Sequence, residues 1–327
     1  MKEQRYILEP YKGTRSRYDC PGCNYKHKFT RYIDTATNKQ LADNVGRCDR
    51  ENSCGYHYTP KQFFTDNPDS RDRSQNWQRP VQTISRPADY LPFDVFEKSV
   101  VQHERCNLFP FLVKLFREDA AKGLCEKYFI GVNKDGNTVF WQADIAGKIR
   151  QAKVIQYNSS TGRRNKETGA LFAGKRILGN DAVNLQQCYF GEYLLSFPEN
   201  RGKPVAIVES EKTAVIASIY YPQFVWLATG GKAGCKWTEK NVCSVLAGRK
   251  VILFPDLGAY DNWKEKGKLL ANVAGCRVVT SDLLEKYAGE ADGKAGLDIA
   301  DYLLRVQDSS GLALTDFNYP VIWDNYF

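Results

Sequence analysis

The chain has 327 residues, of which 43% are hydrophobic and 26% are charged, and its formal net charge is +8. This length allows two or three domains with real cores, and the positive charge favours an acidic partner. No apolar stretch approaches membrane-spanning length, so we expect a soluble protein without a membrane partner.

The amino-terminal segment carries four cysteines in two pairs. Cys20 and Cys23 form a Cys-x2-Cys pair, and Cys48 and Cys54 form a Cys-x5-Cys pair after a long spacer. Four soft ligands suit tetrahedral Zn²⁺, so the sequence predicts one structural zinc held by these residues. Residues 29–34 and 44–48 between and beside the pairs are predicted strands of a small ribbon.

The spacing of the second cysteine pair leaves other ligand sets open. His57 could replace either late cysteine, His27 is a weaker candidate, and free buried thiols are the alternative without metal. Disulfides are disfavoured because no signal peptide is visible and the other six cysteines follow no regular spacing. We therefore expect reduced thiols and a cytoplasmic location.

A polar, proline-containing stretch over residues 65–92 is predicted to be a linker. Residues 90–129 have helical periodicity, and residues 128–157 are predicted to form strands joined by an Asp-Gly turn. The densest basic segment of the chain follows, with aromatic residues among its cations. Such a segment is expected to hold the phosphates of single-stranded DNA, the alternative being a solvated loop. Its predicted nucleic-acid-binding residues are Lys153, Arg163, Arg164, Lys166, Lys175 and Arg176.

Residues 169–176 nearly spell a phosphate-binding P-loop. The last position of that motif needs a hydroxyl for Mg²⁺, whereas this chain has Arg176 there, and no hydrophobic strand precedes Gly169. The sequence therefore excludes an ATPase of this class at this segment.

Two buried-strand patterns end on acids. Residues 205–208 lead into Glu209 and then into a helical pattern, and residues 250–254 lead towards Asp256. Asp298 occupies a predicted helix N-cap further on. Ligands bind beyond the carboxyl ends of strands in open α/β sheets, and Mg²⁺ or Mn²⁺ favours carboxylates, so these acids predict a metal site. The alternative is a helix-start acid at Glu209 and a turn former at Asp256.

Two further segments are candidate phosphate contacts. Lys212 lies in the first turn of the helix after Glu209, where plain surface exposure is the alternative. Gly230, Gly231 and Lys232 follow an apolar strand, and glycines allow the backbone to approach a phosphate closely.

The order of these acids resembles the TOPRIM domain of DNA primases, topoisomerases and related nucleases. Residues 125–305 are most similar to the primase half of bacteriophage primase-helicases, through the Glu209 strand, the strand-terminal Asp256 and the Asp298-Ile-Ala-Asp301-Tyr-Leu segment. The resemblance implies that Glu209, Asp256, Asp298 and Lys212 are catalytic. One position departs from the family, which usually carries a second acid where this chain has Gly258; Asp261 is the nearest replacement.

A zinc ribbon before a TOPRIM core is the order found in primases. The resemblance implies an α+β and α/β multidomain chain, in which helices cover both faces of the TOPRIM sheet. It also implies a Mg²⁺- or Mn²⁺-dependent nucleotidyltransferase that joins ribonucleoside triphosphates on single-stranded DNA, with a separate helicase as a further partner. A TOPRIM nuclease and a non-catalytic single-strand binder of a phage or mobile element are the alternatives. The predicted parts are a zinc ribbon (1–64), a linker (65–92), a mixed basic subdomain (93–200), a TOPRIM domain (201–305) and a tail (306–327).

Overall fold

The computed structural model describes residues 5–67, 87–231, 234–287, 292 and 296–310. The chain divides into two compact units, Met1–Ser85 and Arg86–Phe327. Within the described ranges three four-stranded sheets occur together with α-helices, which confirms the predicted mixed α and β fold class. No helix in these ranges is long and apolar enough to cross a membrane.

The first unit is built on a small antiparallel sheet. Its elements are β1 (Tyr6–Leu8), β2 (Phe29–Asp34), β3 (Gly46–Cys48), α1 (Glu51–Cys54), β4 (His57–Tyr58) and α2 (Pro60–Asp66). The strands lie in the order β1-β2-β3-β4, and β2 and β3 confirm the two predicted ribbon strands. Phe29 pairs with Cys48 in register and is completely buried, so one aromatic ring fills the centre of this small unit.

The first part of the second unit packs helices on an antiparallel meander. Its elements are α3 (Phe93–Val100), α4 (Phe109–Phe116), α5 (Glu118–Lys127), β5 (Ile130–Val132), β6 (Thr138–Ala143), β7 (Ile149–Ile155), β8 (Ala170–Phe172) and α6 (Gly174–Leu178). The strands lie in the order β5-β6-β7-β8. Gly136 has a φ of 77° in the turn between β5 and β6, as the predicted Asp-Gly turn requires.

Alternation along β6 and β7 gives this sheet two different faces. Phe140 pairs with Lys153 on one face, and Trp141 pairs with Ala152 on the other. The Phe140 ring packs edge-on against Phe190, 5.4 Å between centroids. The Trp141 ring instead packs against Phe96 of α3, at 5.5 Å. Helix α3 therefore covers part of the Trp141 face.

The second part of this unit is a parallel sheet with connecting helices. Its elements are β9 (Val205–Val208), α7 (Glu211–Tyr220), β10 (Val225–Ala228), α8 (Lys240–Cys243), β11 (Lys250–Leu253), α9 (Tyr260–Ala274), β12 (Arg277–Thr280), α10 (Leu283–Tyr287) and α11 (Ile299–Ser310). The strand order is β10-β9-β11-β12. All four residues of β9 are fully buried, which explains its uninterrupted apolar run.

The order of these strands reverses between β9 and β11. From β9 the chain crosses to β10 on one side, and from β11 it crosses to β12 on the other. Crossovers between parallel strands are right-handed, so opposite directions place α7 and α9 on opposite faces of the sheet. The reversal opens a crevice at the carboxyl ends of β9 and β11, where ligands bind in open α/β sheets.

Candidate functional site

Two acids lie at the carboxyl ends of β9 and β11. Glu209 directly follows β9, and Asp256 lies three residues beyond the last residue of β11. The two strands are parallel neighbours, with Ile207 opposite Leu253, so both acids lie at one edge of the sheet. Neither acid is fully exposed, and both lie at the switch point of the strand order.

Asp298 joins these acids through a contact between two loops. The Leu257 N–H donates to the Leu297 carbonyl at 2.9 Å, which fixes the loop after β11 beside the loop before α11. The Asp298 Oδ1 accepts the Asp301 N–H at 2.9 Å, so Asp298 is the N-cap predicted for α11. Its Oδ2 accepts a hydrogen bond from Thr213 of α7. The carboxylate is thereby held from both sides.

The acids are close enough to perturb one another. Burial, together with the charges of Asp298, Glu209 and Asp301, raises the pKa of Asp256 to about 8. Burial and the Asp298 charge also raise the pKa of Asp301. Such an accumulation of negative charge favours a bound cation. Asp301 is a fourth acid at this place, and no role was predicted for it from the sequence. Its position three residues after an N-cap aspartate is the signal that could have indicated it.

The four acids provide oxygen donors of the kind that Mg²⁺ prefers. Within the described ranges, however, the cysteine group in the first unit is the one set of three or more ligand atoms that all lie within 4.8 Å of one another. The carboxylates are therefore spaced more widely than a closed shell of protein ligands. This fits an ion that keeps several of its waters, as Mg²⁺ usually does.

A basic loop lies against α7 beside the acids. Lys212 of α7 donates from Nζ to the Gly162 carbonyl at 3.2 Å, and its charge partly offsets the rise in the pKa of Asp301. Arg163 and Arg164 follow Gly162 and are exposed. The buried Tyr157 hydroxyl lies within electrostatic range of both Arg164 and Asp298, and its pKa is raised chiefly by burial. We call residues 158–166 the basic loop.

Lys153 lies in a buried ion pair instead of on an exposed basic surface. Its Nζ donates to both carboxylate oxygens of Glu211, at 2.9 and 2.8 Å, and to the Gly230 carbonyl at 2.9 Å. The Lys153 and Glu211 residues are 6% and 1% exposed. All three ammonium protons are used, so Lys153 has none left for a phosphate. The sequence did not reveal this pair, because the face of the sheet on which Lys153 lies depends on how β7 pairs with its neighbouring strands.

The other predicted residues are distributed around this centre. Gly230 and Gly231 have φ values of 85° and 82°, and the Gly230 N–H donates to the Glu209 carbonyl at 2.9 Å. Lys232 lies outside the described residues. Asp261 is exposed in the first turn of α9, and Gly258 is exposed with a φ of 84°. Lys166 is an exposed member of the basic loop, whereas Lys175 and Arg176 are exposed on α6.

The four predicted zinc ligands meet in the first unit. The Sγ atoms of Cys20 and Cys54 are 3.7 Å apart, and those of Cys23 and Cys48 are 3.9 Å apart. Tetrahedral zinc with bonds of about 2.3 Å places its sulfurs about 3.8 Å from each other, so the group fits Zn²⁺. His57 instead contacts the Tyr32 hydroxyl and Glu51, each at 3.0 Å.

His27 contacts the Arg17 carbonyl through Nδ1 at 3.3 Å. The backbone N–H of His27 donates to the Asp19 carboxylate at 3.2 Å. Neither histidine belongs to the sulfur group, so the four-cysteine ligand set is the one that the described geometry supports.

Residues 106–257 match the model of a domain of unknown function, DUF6371, and residues 4–69 match the model of a zinc beta-ribbon finger. None of the curated proteins compared with the chain matches it.

Solved primase structures are similar to the chain. The RNA polymerase domain of Mycobacterium tuberculosis primase has a TM-score of 0.37 at 11% identity, covering 72% of this chain and 94% of that one. Aquifex aeolicus primase, with its zinc-binding and RNA polymerase domains, has a TM-score of 0.35 at 13% identity, covering 93% and 80%. A bacteriophage T7 complex containing primase domains has a TM-score of 0.31 at 16% identity, covering 57% and 82%. All three similarities are remote.

Proposed function

We propose that this chain is a primase-like nucleotidyltransferase, in which Glu209, Asp256 and Asp298 hold Mg²⁺ or Mn²⁺ at the end of a TOPRIM-type sheet. The observation that carries the proposal is the convergence of these acids at the switch point beside the basic loop. In this proposal residues 93–200 form the mixed subdomain, residues 201–305 form the TOPRIM domain, and the substrates are single-stranded DNA and ribonucleoside triphosphates. A cytoplasmic location and a separate helicase partner belong to the same proposal.

In this proposal the acidic and the basic residues have different roles. A bound ion would offset the negative charge of a triphosphate and orient it for in-line attack. Asp301 adds a fourth carboxylate at the same place, and Thr213 holds Asp298 in its orientation. Arg163, Arg164 and Lys166 are exposed on the basic loop and would contact the template backbone. Lys212 is a positioning residue that anchors this loop through the Gly162 carbonyl.

A non-catalytic single-strand binder is the second candidate, and a specific observation favours it. Gly258 stands where the resembled family has a second acid, and Asp261 is exposed on α9. The charges that raise the pKa of Asp256 come from Asp298, Glu209 and Asp301, with no contribution from Asp261. A protein with fewer metal ligands could retain the binding surface and lose the chemistry.

The deciding experiment incubates the full chain with single-stranded DNA of random sequence, four ribonucleotides and Mg²⁺, and follows both ribonucleotide incorporation and template cleavage. Wild type is expected to extend product, and Glu209→Gln is expected to lose this activity because the amide removes the charge that coordinates metal. Glu265→Gln, a matched change in an exposed ion pair on α9, should stay active. Cleavage without extension would indicate a nuclease, and DNA binding without either reaction would indicate a binder.

A further inference from the structure

A groove lies on the Trp141 face of the β5–β8 sheet, which is the face opposite the one that carries Lys153 and Phe140. Its volume is about 660 Å³, and it runs between α3, the turn before β6 and α6. This volume is within the range of about 300 to 1,000 Å³ found for ligand pockets. We call it the distal groove, because Lys153 on the other face contacts Glu211 of α7 beside the acids.

The floor of the distal groove is apolar and partly open. Val139, Val154 and Leu171 lie along it, and Leu171 is 50% exposed although it belongs to a strand. Val95 of α3 adds a second apolar side chain that is 36% exposed. Exposed aliphatic groups in a concave surface favour an occupant with apolar side chains.

The aromatic content of the lining argues against stacking of nucleobases. Trp141 is the aromatic residue among the described lining residues, and it is 2% exposed. Its indole N–H already donates to Ser99 Oγ at 3.2 Å. Proteins that bind single strands without sequence preference present exposed rings to the bases, and this groove offers none in its described lining.

The rim of the groove is basic. Lys98, Arg105, Lys134 and Arg176 line it, against one carboxylate from Asp135, and all five residues are exposed. Lys98 forms an exposed ion pair with Asp94 at 3.4 Å, and Arg105 donates to the neutral Gln102 side chain. These contacts leave most of the positive charge of the rim uncompensated. A cluster of exposed cations favours a negatively charged partner and helps to orient it.

We propose that the distal groove binds a short peptide segment of a partner protein, in which apolar side chains are flanked by aspartate or glutamate. The apolar side chains would cover Leu171, Val154 and Val95, and the acids would meet the four rim cations. Because the groove faces away from the acids of β9 and β11, an occupant would leave that site accessible. The inference is independent of the proposed chemistry.

The test uses the full chain and a pool of fluorescent 12-residue peptides in which Asp or Glu alternates with Leu, Ile, Val or Phe. Binding is measured by fluorescence anisotropy, and peptides with Lys in place of each acid serve as the charge control. Arg176→Glu and Leu171→Asp should each weaken binding about tenfold or more. Arg176→Glu puts a negative charge on the rim, where it repels the acids of the peptide, and Leu171→Asp puts a charge on the apolar floor. Lys175→Glu makes the same charge change one residue away, on a side chain that does not line the groove, and should have little effect.

Three results would overturn the proposal. The first is that no acidic peptide binds with an affinity that depends on Arg176. The second is that a 12-nucleotide oligothymidylate binds with this dependence while the peptides do not, which would make the groove a nucleic-acid surface. The third is that a chain ending at Ser310 binds the peptides whereas the full chain does not, which would make residues 311–327 the occupant. Circular dichroism of each variant controls for folding, and Leu171 is exposed enough to accept the change.

Discussion

At the scale of single residues, the buried pair of Lys153 and Glu211 connects the two halves of the second unit. Lys153 extends from β7, Glu211 begins α7, and the same ammonium holds the Gly230 carbonyl after β10. Gly230 in turn donates its N–H to the Glu209 carbonyl. The pair therefore supports the backbone beside the candidate metal site, although it lies outside that site.

Removing one partner of this pair should be costly. Lys153→Met is expected to lower the free energy of unfolding by about 3 to 5 kcal/mol, because Glu211 is left buried without a counter-charge. The double variant Lys153→Met/Glu211→Leu should lose much less than the sum of the two single variants. Urea denaturation of the four proteins measures the coupling. Additive losses would show that the two side chains do not stabilise each other.

Glu192 provides a pH test at a buried carboxyl group that is not one of the candidate metal ligands. It is 3% exposed, and burial raises its pKa to about 7, although the N–H groups of Ile145 and Tyr189 donate to its carboxylate. Between about pH 4.5 and 7, the folded chain keeps the proton on Glu192, whereas the unfolded chain has lost it. Stability should therefore fall across this window, by about 3 kcal/mol in total from this group.

Glu192→Gln is neutral at every pH and should lack that fall. The difference in unfolding free energy, variant minus wild type, should rise from pH 4.5 to 8. Glu199→Gln, on an exposed residue of the same segment, should follow wild type throughout. Parallel curves for wild type and Glu192→Gln would show that Glu192 is ionised in the folded chain across the window.

At the scale of elements, the local sequence pattern predicted the strands and the acids at their ends well. It predicted poorly which face of a sheet a side chain occupies. The apolar runs before Glu209 and Asp256 are β9 and β11, and the Asp298 cap begins α11, because each signal is contained in a few adjacent residues. Lys153 instead looked like one member of a basic run. Its burial follows from pairing with residues more than fifty positions away, which no local pattern records.

The basic loop is the element whose role in DNA binding can be isolated. Arg163→Ala/Arg164→Ala should reduce the salt dependence of single-strand affinity, with a slope smaller by about 1.4, since each lost phosphate contact contributes about 0.7. Arg105→Ala/Lys134→Ala removes the same charge from the distal groove and should leave the slope near that of wild type. The measurement is DNA affinity against salt concentration. Equal changes in both double variants would mean that net charge, and no particular surface, governs binding.

At the scale of the whole molecule, the two units differ in what stabilises them. The second unit has a large core shared by both of its sheets. Among the described residues of the first unit, the buried cluster consists of Phe29 with Cys20 and Cys48, and the partly buried Tyr18, Cys23, Cys54 and Tyr56 pack against it. Val45 and Ile33 are the other buried apolar residues described there. So few apolar groups offset little of the entropy lost on folding, and a metal is the usual remedy in such small units.

Removal of zinc should therefore unfold the first unit alone. Apparent binding energies of structural zinc are about 10 to 16 kcal/mol, far more than this core supplies. A strong chelator is expected to abolish the thermal unfolding transition of the first unit and to leave that of the second unit unchanged, as measured by calorimetry. Purified wild type should contain one zinc ion per chain, and the Cys20→Ser variant should contain less zinc per chain. Stoichiometric zinc in Cys20→Ser would refute the four-cysteine assignment.

Asp298 has two structural tasks, and this affects how any loss of activity at that position is interpreted. Its carboxylate begins α11 by accepting the Asp301 N–H, and it also lies among the acids that surround Asp256. An alanine there would remove the helix cap together with the charge, so an inactive Asp298→Ala protein would not distinguish a misplaced helix from a missing ligand. Asparagine caps helices about as well as aspartate, and Asp298→Asn therefore separates the two explanations.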